Sequence, residues 1–176
     1  MKILALDVSG SATGWAIGEG HTLKEHGKFI SNLKRSRGER LYDFAIWLES
    51  VFGKYQPDII LIEKPYLGRN SNVLANLSRF IAIVELVAFQ KLQLEIEEDW
   101  FIDPKTIKRL LGVTRPRKKV NGSHYFDNKA AMVKKINGLY GLNLKYSPNK
   151  SKKYNDDDVA DSIAVWAAWL KLTQGK

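Results

Sequence analysis

Four acids carry the first chemical signal in this chain. Asp7 closes a short apolar run, Ile3–Leu6, and a turn containing Ser9, Gly10 and Ser11 follows it. Glu63 comes directly after a second run, Asp58–Ile62 (DIILI), with Pro65 just beyond. Far downstream Asp156, Asp157 and Asp158 stand together, and Asp161 comes one helical turn after Asp158. Spaced i and i+3, Asp158 and Asp161 share a helix face. Acids that end buried strands stand at the carboxyl edge of a sheet, where α/β proteins place their sites. Carboxylates gathered there repel one another until protons or hard cations offset the charge. Mg²⁺ and Mn²⁺ prefer such oxygen ligands. Two ions about 3.5–4 Å apart can cut a phosphodiester, one activating the water and the other stabilising the leaving oxygen. Each acid taken singly has a plainer reading. Asp7 can cap a turn, and acids in a first helical turn complement its dipole, which is the preferred reading of Asp156.

The charge supplies the substrate that such a centre would need. Lys and Arg number 28 against 19 Asp and Glu, for a net charge of +9 and an isoelectric point near 9.6. Residues 115–153 hold eleven basic residues and a single acid, Asp127, so the positive excess is localised there. A concentrated excess points to a polyanionic partner, DNA or RNA. Two loops carry much of it. One, at about 112–127, contains Arg115, Arg117, Lys118 and Lys119, and the other, at about 143–155, runs through Lys145–Lys153. Both are expected to contact phosphates. Such contacts give affinity and salt dependence without reading base sequence.

The elements that must position these groups follow from periodicity. At 176 residues, 44% of them hydrophobic, the chain suits one domain with a real core, spanning 1–176. Ile3–Leu6, Thr13–Ile17 and Lys28–Ile30 read as an antiparallel three-stranded meander. Arg40–Phe52 reads as a helix, with Leu41, Phe44, Leu48 and Val51 on one stripe and Gly53 and Pro57 as its stop. Asp58–Ile62 is a strand beside the first and parallel to it, Asn72–Leu92 a long helix, and Leu94–Phe101 a strand. Pro104–Leu111 is a helix capped by Asp103, with Pro in its first turn. Asn128–Leu139 and Asp156–Leu172 complete the set, the last with an apolar stripe of Val159, Ile163, Trp166 and Leu170. The fold class expected is α/β, a mixed five-stranded sheet with helices on both faces.

The absence of cysteine excludes disulfides, thiolate metal sites and thiol catalysis, and fits a reducing, cytoplasmic compartment. The opening residues do not form a signal peptide, since the apolar run stops at Asp7. The most apolar stretch, Phe80–Phe89, is too short to span a bilayer and contains Glu85, so no membrane role is expected.

Three motifs together resemble the RuvC family of Holliday-junction resolvases, within the ribonuclease H-like superfamily. They are Ile3-Leu-Ala-Leu-Asp7-Val-Ser-Gly-Ser-Ala-Thr-Gly14-Trp-Ala-Ile-Gly18, Ile60-Leu-Ile-Glu63-Lys-Pro-Tyr66 and Asp158-Val-Ala-Asp161-Ser-Ile-Ala164. Their order and approximate spacing fit over nearly the whole chain. The resemblance implies a Mg²⁺-dependent endonuclease that resolves four-way DNA junctions by paired nicks, with Mn²⁺ as a substitute. It implies Asp7, Glu63, Asp158 and Asp161 as catalytic ligands of two ions, with Asp157 as the alternative to Asp158. It implies Tyr66 as a residue stacking at the junction centre, and Lys108 and Lys129 as DNA contacts before and at the start of the helix that precedes the final loop. It also implies a homodimer, for which the apolar helix Asn72–Leu92 can supply the interface. Ser9 replaces a common Pro of the family, Ser162 replaces an Ala, and the segment between Gly112 and Asn128 is longer and more basic. These departures resemble the divergent, phage-type branch.

Other classes predict different behaviour. A broader branched-DNA or flap nuclease would cut Y-forks and flaps as readily as junctions. A non-catalytic branched-DNA-binding protein on this fold would bind without cutting. An actin-like ATPase would need two such domains.

Overall fold

The computed structural model describes residues 1–65, 71–113 and 127–174. The strands are β1 (Lys2–Asp7), β2 (Ala12–Glu19), β3 (Thr22–Ile30), β4 (Ile59–Glu63) and β5 (Phe101–Ile102). They form one sheet in the order β3-β2-β1-β4-β5. The first three are an antiparallel meander, and β4 runs parallel to β1 and β5 parallel to β4. β1 and β4 read as unbroken apolar runs because both faces are covered. Ile3, Ala5 and Leu61 enter one core, and Leu4, Leu6, Ile60 and Ile62 the other.

Two helices cover the Leu4–Leu6 face: α1 (Arg37–Tyr55) and α2 (Ser71–Leu92). Three cover the opposite face: α3 (Pro104–Leu111), α4 (Asn128–Tyr140) and α5 (Asp157–Thr173). α5 lies across β2, β1 and β4 and is buried along most of its length, with Trp166 fully enclosed.

The sequence reading of α3 holds to the residue, including Asp103 accepting from the backbone N–H groups of Lys105 and Thr106 at 2.8 and 3.1 Å. Other boundaries differ for local reasons. α1 starts earlier, because Ser36 and Glu39 form a reciprocal capping box. It also runs through Gly53 and stops at Gln56, whose φ of 48° takes the chain out of the helix. The expected strand Leu94–Phe101 shrinks to Phe101–Ile102, preceded by a single 3₁₀ turn at Glu98–Trp100. Leu94 and Ile96 alternate with acids as a strand would, yet they pack against the α1–α2 core without pairing to a neighbour. α2 as a whole is long and apolar enough to cross a membrane by length and composition, unlike the shorter run Phe80–Phe89. Here Phe80, Ile81, Val84, Val87 and Ala88 are buried in the α1–α2 core.

Candidate active site at the carboxyl edge of the sheet

Parallel pairing places the first two acids. Leu6 is in register with Ile62, so Asp7 and Glu63 are the next residues out on adjacent strands. The turn after Asp7 is held by its own polar groups. Ser9 Oγ accepts from the N–H of Ala12 at 3.1 Å and donates to the Ala12 carbonyl at 2.5 Å. Arg40 reaches from α1 to the Gly10 carbonyl and to Ser31 Oγ. Ser9 thus fixes the turn by hydrogen bonds.

α5 delivers the other two acids. Its first turn lies directly on β2, opposite Gly14, which leaves room for the Asp158 backbone. Asp158 is buried, and Asp161 one turn on stands beside Glu63 at the wall of a cleft. Ser162 is fully buried and satisfies its hydroxyl by donating to the Val159 carbonyl at 2.8 Å.

The four acids feel one another. Burial pushes Asp7 well above its ordinary value, and the charges of Asp161, Glu63 and Asp158 push it further. Burial, then the charge of Asp161, lifts Glu63 to about 7, with Lys108 and Lys129 pulling back. Burial lifts Asp161 to about 6 against the opposing charge of Lys129. Asp158 is raised by burial and partly restored by Lys152. Among the described residues, no group of three potential ligands forms a ready-made cation cage. The chemistry of the donor set nevertheless fits a hard divalent ion. All donors are carboxylate oxygens, Asp7, Glu63 and Asp161 take no ion pair among the described residues, and Asp158 Oδ2 is buried without a hydrogen-bond partner.

Asp157, the alternative to Asp158, is occupied differently. Its side chain is 2% exposed and is paired with both Lys129 and Lys152. Burial pushes its carboxyl up, but the hydrogen bonds from those two ammonium groups outweigh it and hold the group below its ordinary value. Lys152 also reaches Asp158 Oδ1. The expectation that Lys145–Lys153 all face phosphates therefore fails to describe Lys152, which turns inward onto two acids.

The segment that carries Lys152 lacks helix and strand, as expected of a loop, but it is internally bonded. Asn155 Nδ2 donates to the carbonyls of Ser147 and Lys150, both at 2.9 Å, and Asn155 Oδ1 accepts from the N–H of Ser147. Asp156 Oδ2 accepts from the N–H of Lys145 at 2.9 Å. Lys28 Nζ, from β3, donates to the carbonyls of Lys152 and Asn155 and to Asp156 Oδ1. Asp156 is thus a clamp on this loop, where the sequence suggested a partner for the helix dipole.

A cleft of about 740 Å³ opens beside the acids, lined by Glu63, Asp161, Lys108, Lys129 and Tyr146 among others. Lys64, Lys105 and Lys108 line a second hollow of about 520 Å³ next to it. Lys108 and Lys129, for which the resemblance implies DNA contact, both line the cleft beside the acids. Tyr66, Arg115, Arg117, Lys118 and Lys119 lie outside the described residues. Sequence reasoning missed Lys28, Asn155 and Tyr146, and it missed the inward turn of Lys152. No local pattern marks them, because only the fold brings β3 and the loop after α4 to the head of α5.

No protein-family model matches the chain. It is 25% identical over 170 residues to the crossover junction endodeoxyribonuclease RuvC of Caldicellulosiruptor saccharolyticus, covering 94% of this chain and 89% of that protein. It is 27% identical over 172 residues to the RuvC of Alkaliphilus metalliredigens, covering 94% and 90%. Among solved structures it is similar to T. thermophilus RuvC in complex with a Holliday junction substrate, with a TM-score of 0.72 and 14% identity over 99% of this chain and 97% of that one.

Proposed function

We propose that this chain, a relative of the RuvC crossover junction endodeoxyribonucleases in sequence and fold, is a structure-selective endonuclease that resolves four-way DNA junctions in recombination and repair. The observation that carries this reading is the convergence of Asp7, Glu63, Asp158 and Asp161 from β1, β4 and α5. Their charges raise one another's proton affinity beside a cleft flanked by Lys108 and Lys129.

Mg²⁺, with Mn²⁺ as substitute, is the cofactor that these four carboxylates suit as ligands. When bound, such an ion polarises the scissile phosphate and lowers the pKa of water. The protein's own groups do the rest. Lys108 and Lys129 hold phosphates of the entering strand, with Arg115, Arg117, Lys118 and Lys119 extending that contact and Tyr66 stacking at the junction centre. Water attacks phosphorus, the bond to the 3′ oxygen breaks, and a 5′-phosphate end remains. The acids of the sheet edge would hold the ions, and through them fix the reacting phosphate relative to the lysines.

Paired nicks need two sites, so the working form is a homodimer. The face of α1 and α2 turned from the sheet supports this, with Tyr42, Ile46, Leu86 and Phe89 about half or more exposed. The cysteine-free composition suits a bacterial cytoplasm or the interior of an infected host cell.

The test is a labelled immobile four-way junction beside a matched linear duplex, each with Mg²⁺ or with EDTA. Paired, symmetric, metal-dependent nicks on the junction alone are expected. Equal cutting of the duplex would make the protein a general nuclease. Binding without cutting under any divalent ion would leave a junction-binding protein on a nuclease fold.

A further inference from the structure

Lys152 stands where the proposed chemistry needs positive charge. Its ammonium bridges Asp157 Oδ2 at 2.9 Å and Asp158 Oδ1, and it is joined on Asp157 by Lys129. It does not arrive there as a loose surface side chain. The Lys152 carbonyl is itself held by Lys28, whose side chain is only 15% exposed, and the flanking backbone is pinned by Asn155 and Asp156.

The charge balance is uneven across the site. Asp157 and Asp158 are met by two ammonium groups. Asp7, Glu63 and Asp161 take no ion pair among the described residues. Asp7, Glu63 and Asp161 therefore keep their oxygens open to a divalent ion, whereas Asp158 shares one of its oxygens with an ammonium. Asp158 keeps Oδ2 buried and unpartnered, so the ammonium satisfies only one of its oxygens.

We infer that Lys152 is a resident cation of the active site, its ammonium filling the place at Asp158 that a second divalent ion would take. The free protein then loads one ion on Asp7, Glu63 and Asp161, and a second only when Lys152 is displaced. Lys152 is a positioning residue, acting through Asp158, and this role rests on the carboxylates being metal ligands as proposed above.

Counting bound Mn²⁺ on the free protein tests this, by the electron paramagnetic resonance signal of the unbound ion. The wild type is expected to bind one Mn²⁺ per chain. Lys152→Met is expected to bind a second, with its affinity raised on the order of tenfold or more because a unit charge has left the site. Lys152→Arg, which keeps the charge, is expected to stay at one. A purely structural role would lower metal binding together with the melting temperature and would not add an ion. Lys28→Met leaves every carboxylate of the centre in place while freeing the loop. It is expected to let the second ion in at an intermediate affinity, and it decides the matter if Lys152→Met does not fold. Two ions on the wild type, or equal counts and affinities in all variants, would overturn the role of Lys152 and leave the metal centre standing. No bound ion in any variant would overturn the metal centre and this role with it.

Discussion

Gly14 and Asp158 meet so closely that a Cβ on Gly14 would fall 1.8 Å from the Asp158 carbonyl oxygen. Gly14 is also the residue directly across the ladder from Asp7. One missing methyl group therefore lets the head of α5 rest on β2 within reach of the β1 acid. Gly14→Ala pushes backbone against backbone, which no rotamer change relieves. It is expected to cost at least the ~1–3 kcal/mol of ordinary overpacking. It should also abolish cleavage even at temperatures where circular dichroism still reports a folded protein. Full activity in a folded Gly14→Ala variant would show that the α5 acids need no such approach.

Asp7→Asn removes the charge of the β1 acid while keeping its shape. Junction cleavage is expected to fall by several orders of magnitude, with junction affinity within about threefold of wild type, since phosphate contacts supply most of the binding. Electrophoretic mobility shift in EDTA, alongside a cleavage time course, separates the two. A folded variant that no longer binds would give Asp7 a role in DNA contact.

The acids also set a pH dependence. Glu63 titrates at about 7 in the folded protein against an ordinary 4.5, and Asp161 at about 6 against 3.8. Through that interval the folded state holds protons that the unfolded state has released, so stability falls as pH rises. Above it the loss is complete and flat. Asp157, held low by its lysines, acts with the opposite sign at more acid pH. In EDTA the melting temperature is therefore expected to drop between about pH 4 and about pH 7, and Mg²⁺ to restore more at the higher pH. Asp7→Asn should shrink the drop, because each remaining acid loses a repulsive neighbour. A melting temperature that rises over this range in EDTA, with no Mg²⁺ effect, would contradict a shared buried charge.

Lys108 and Lys129 are expected to differ although both line the cleft. Lys108→Ala should weaken junction binding and lower the salt slope by about 0.9 per lost phosphate contact, with the melting temperature unchanged. Lys129→Ala should do the same and also lower the melting temperature, because it strips one of two partners from the buried Asp157. Salt titrations of binding and thermal melts on the same preparations check this pairing.

The parts legible in the sequence were those with a local cause. Ile3–Leu6 and the DIILI run announce strands covered on both faces, and the acids ending them announce the sheet edge. Asp103 and Pro104 mark a helix start without ambiguity. Strand length was less visible, as Leu94 and Ile96 show, because alternation records burial and leaves pairing open. The environment of Asp157 and the inward turn of Lys152 were not legible. They depend on Lys28 and Asn155, which act across more than a hundred residues or through loop hydrogen bonds that no periodicity encodes.

The position of α5 has a consequence for how the protein comes into being. α5 brings Asp158 and Asp161, and it also covers the face of β1 and β2 that carries Ile3, Ala5 and Ala16. A nascent chain that has emerged only as far as α4 has two of the four acids and a sheet with much of one side bare. Its contacts to α5 close loops of well over a hundred residues, which makes them late and slow to form. The proposed catalytic centre and the second half of the core are thus completed by the same event. On the proposed function, a ribosome-bound intermediate can gather its first strands and helices near nucleic acid without yet being able to break it.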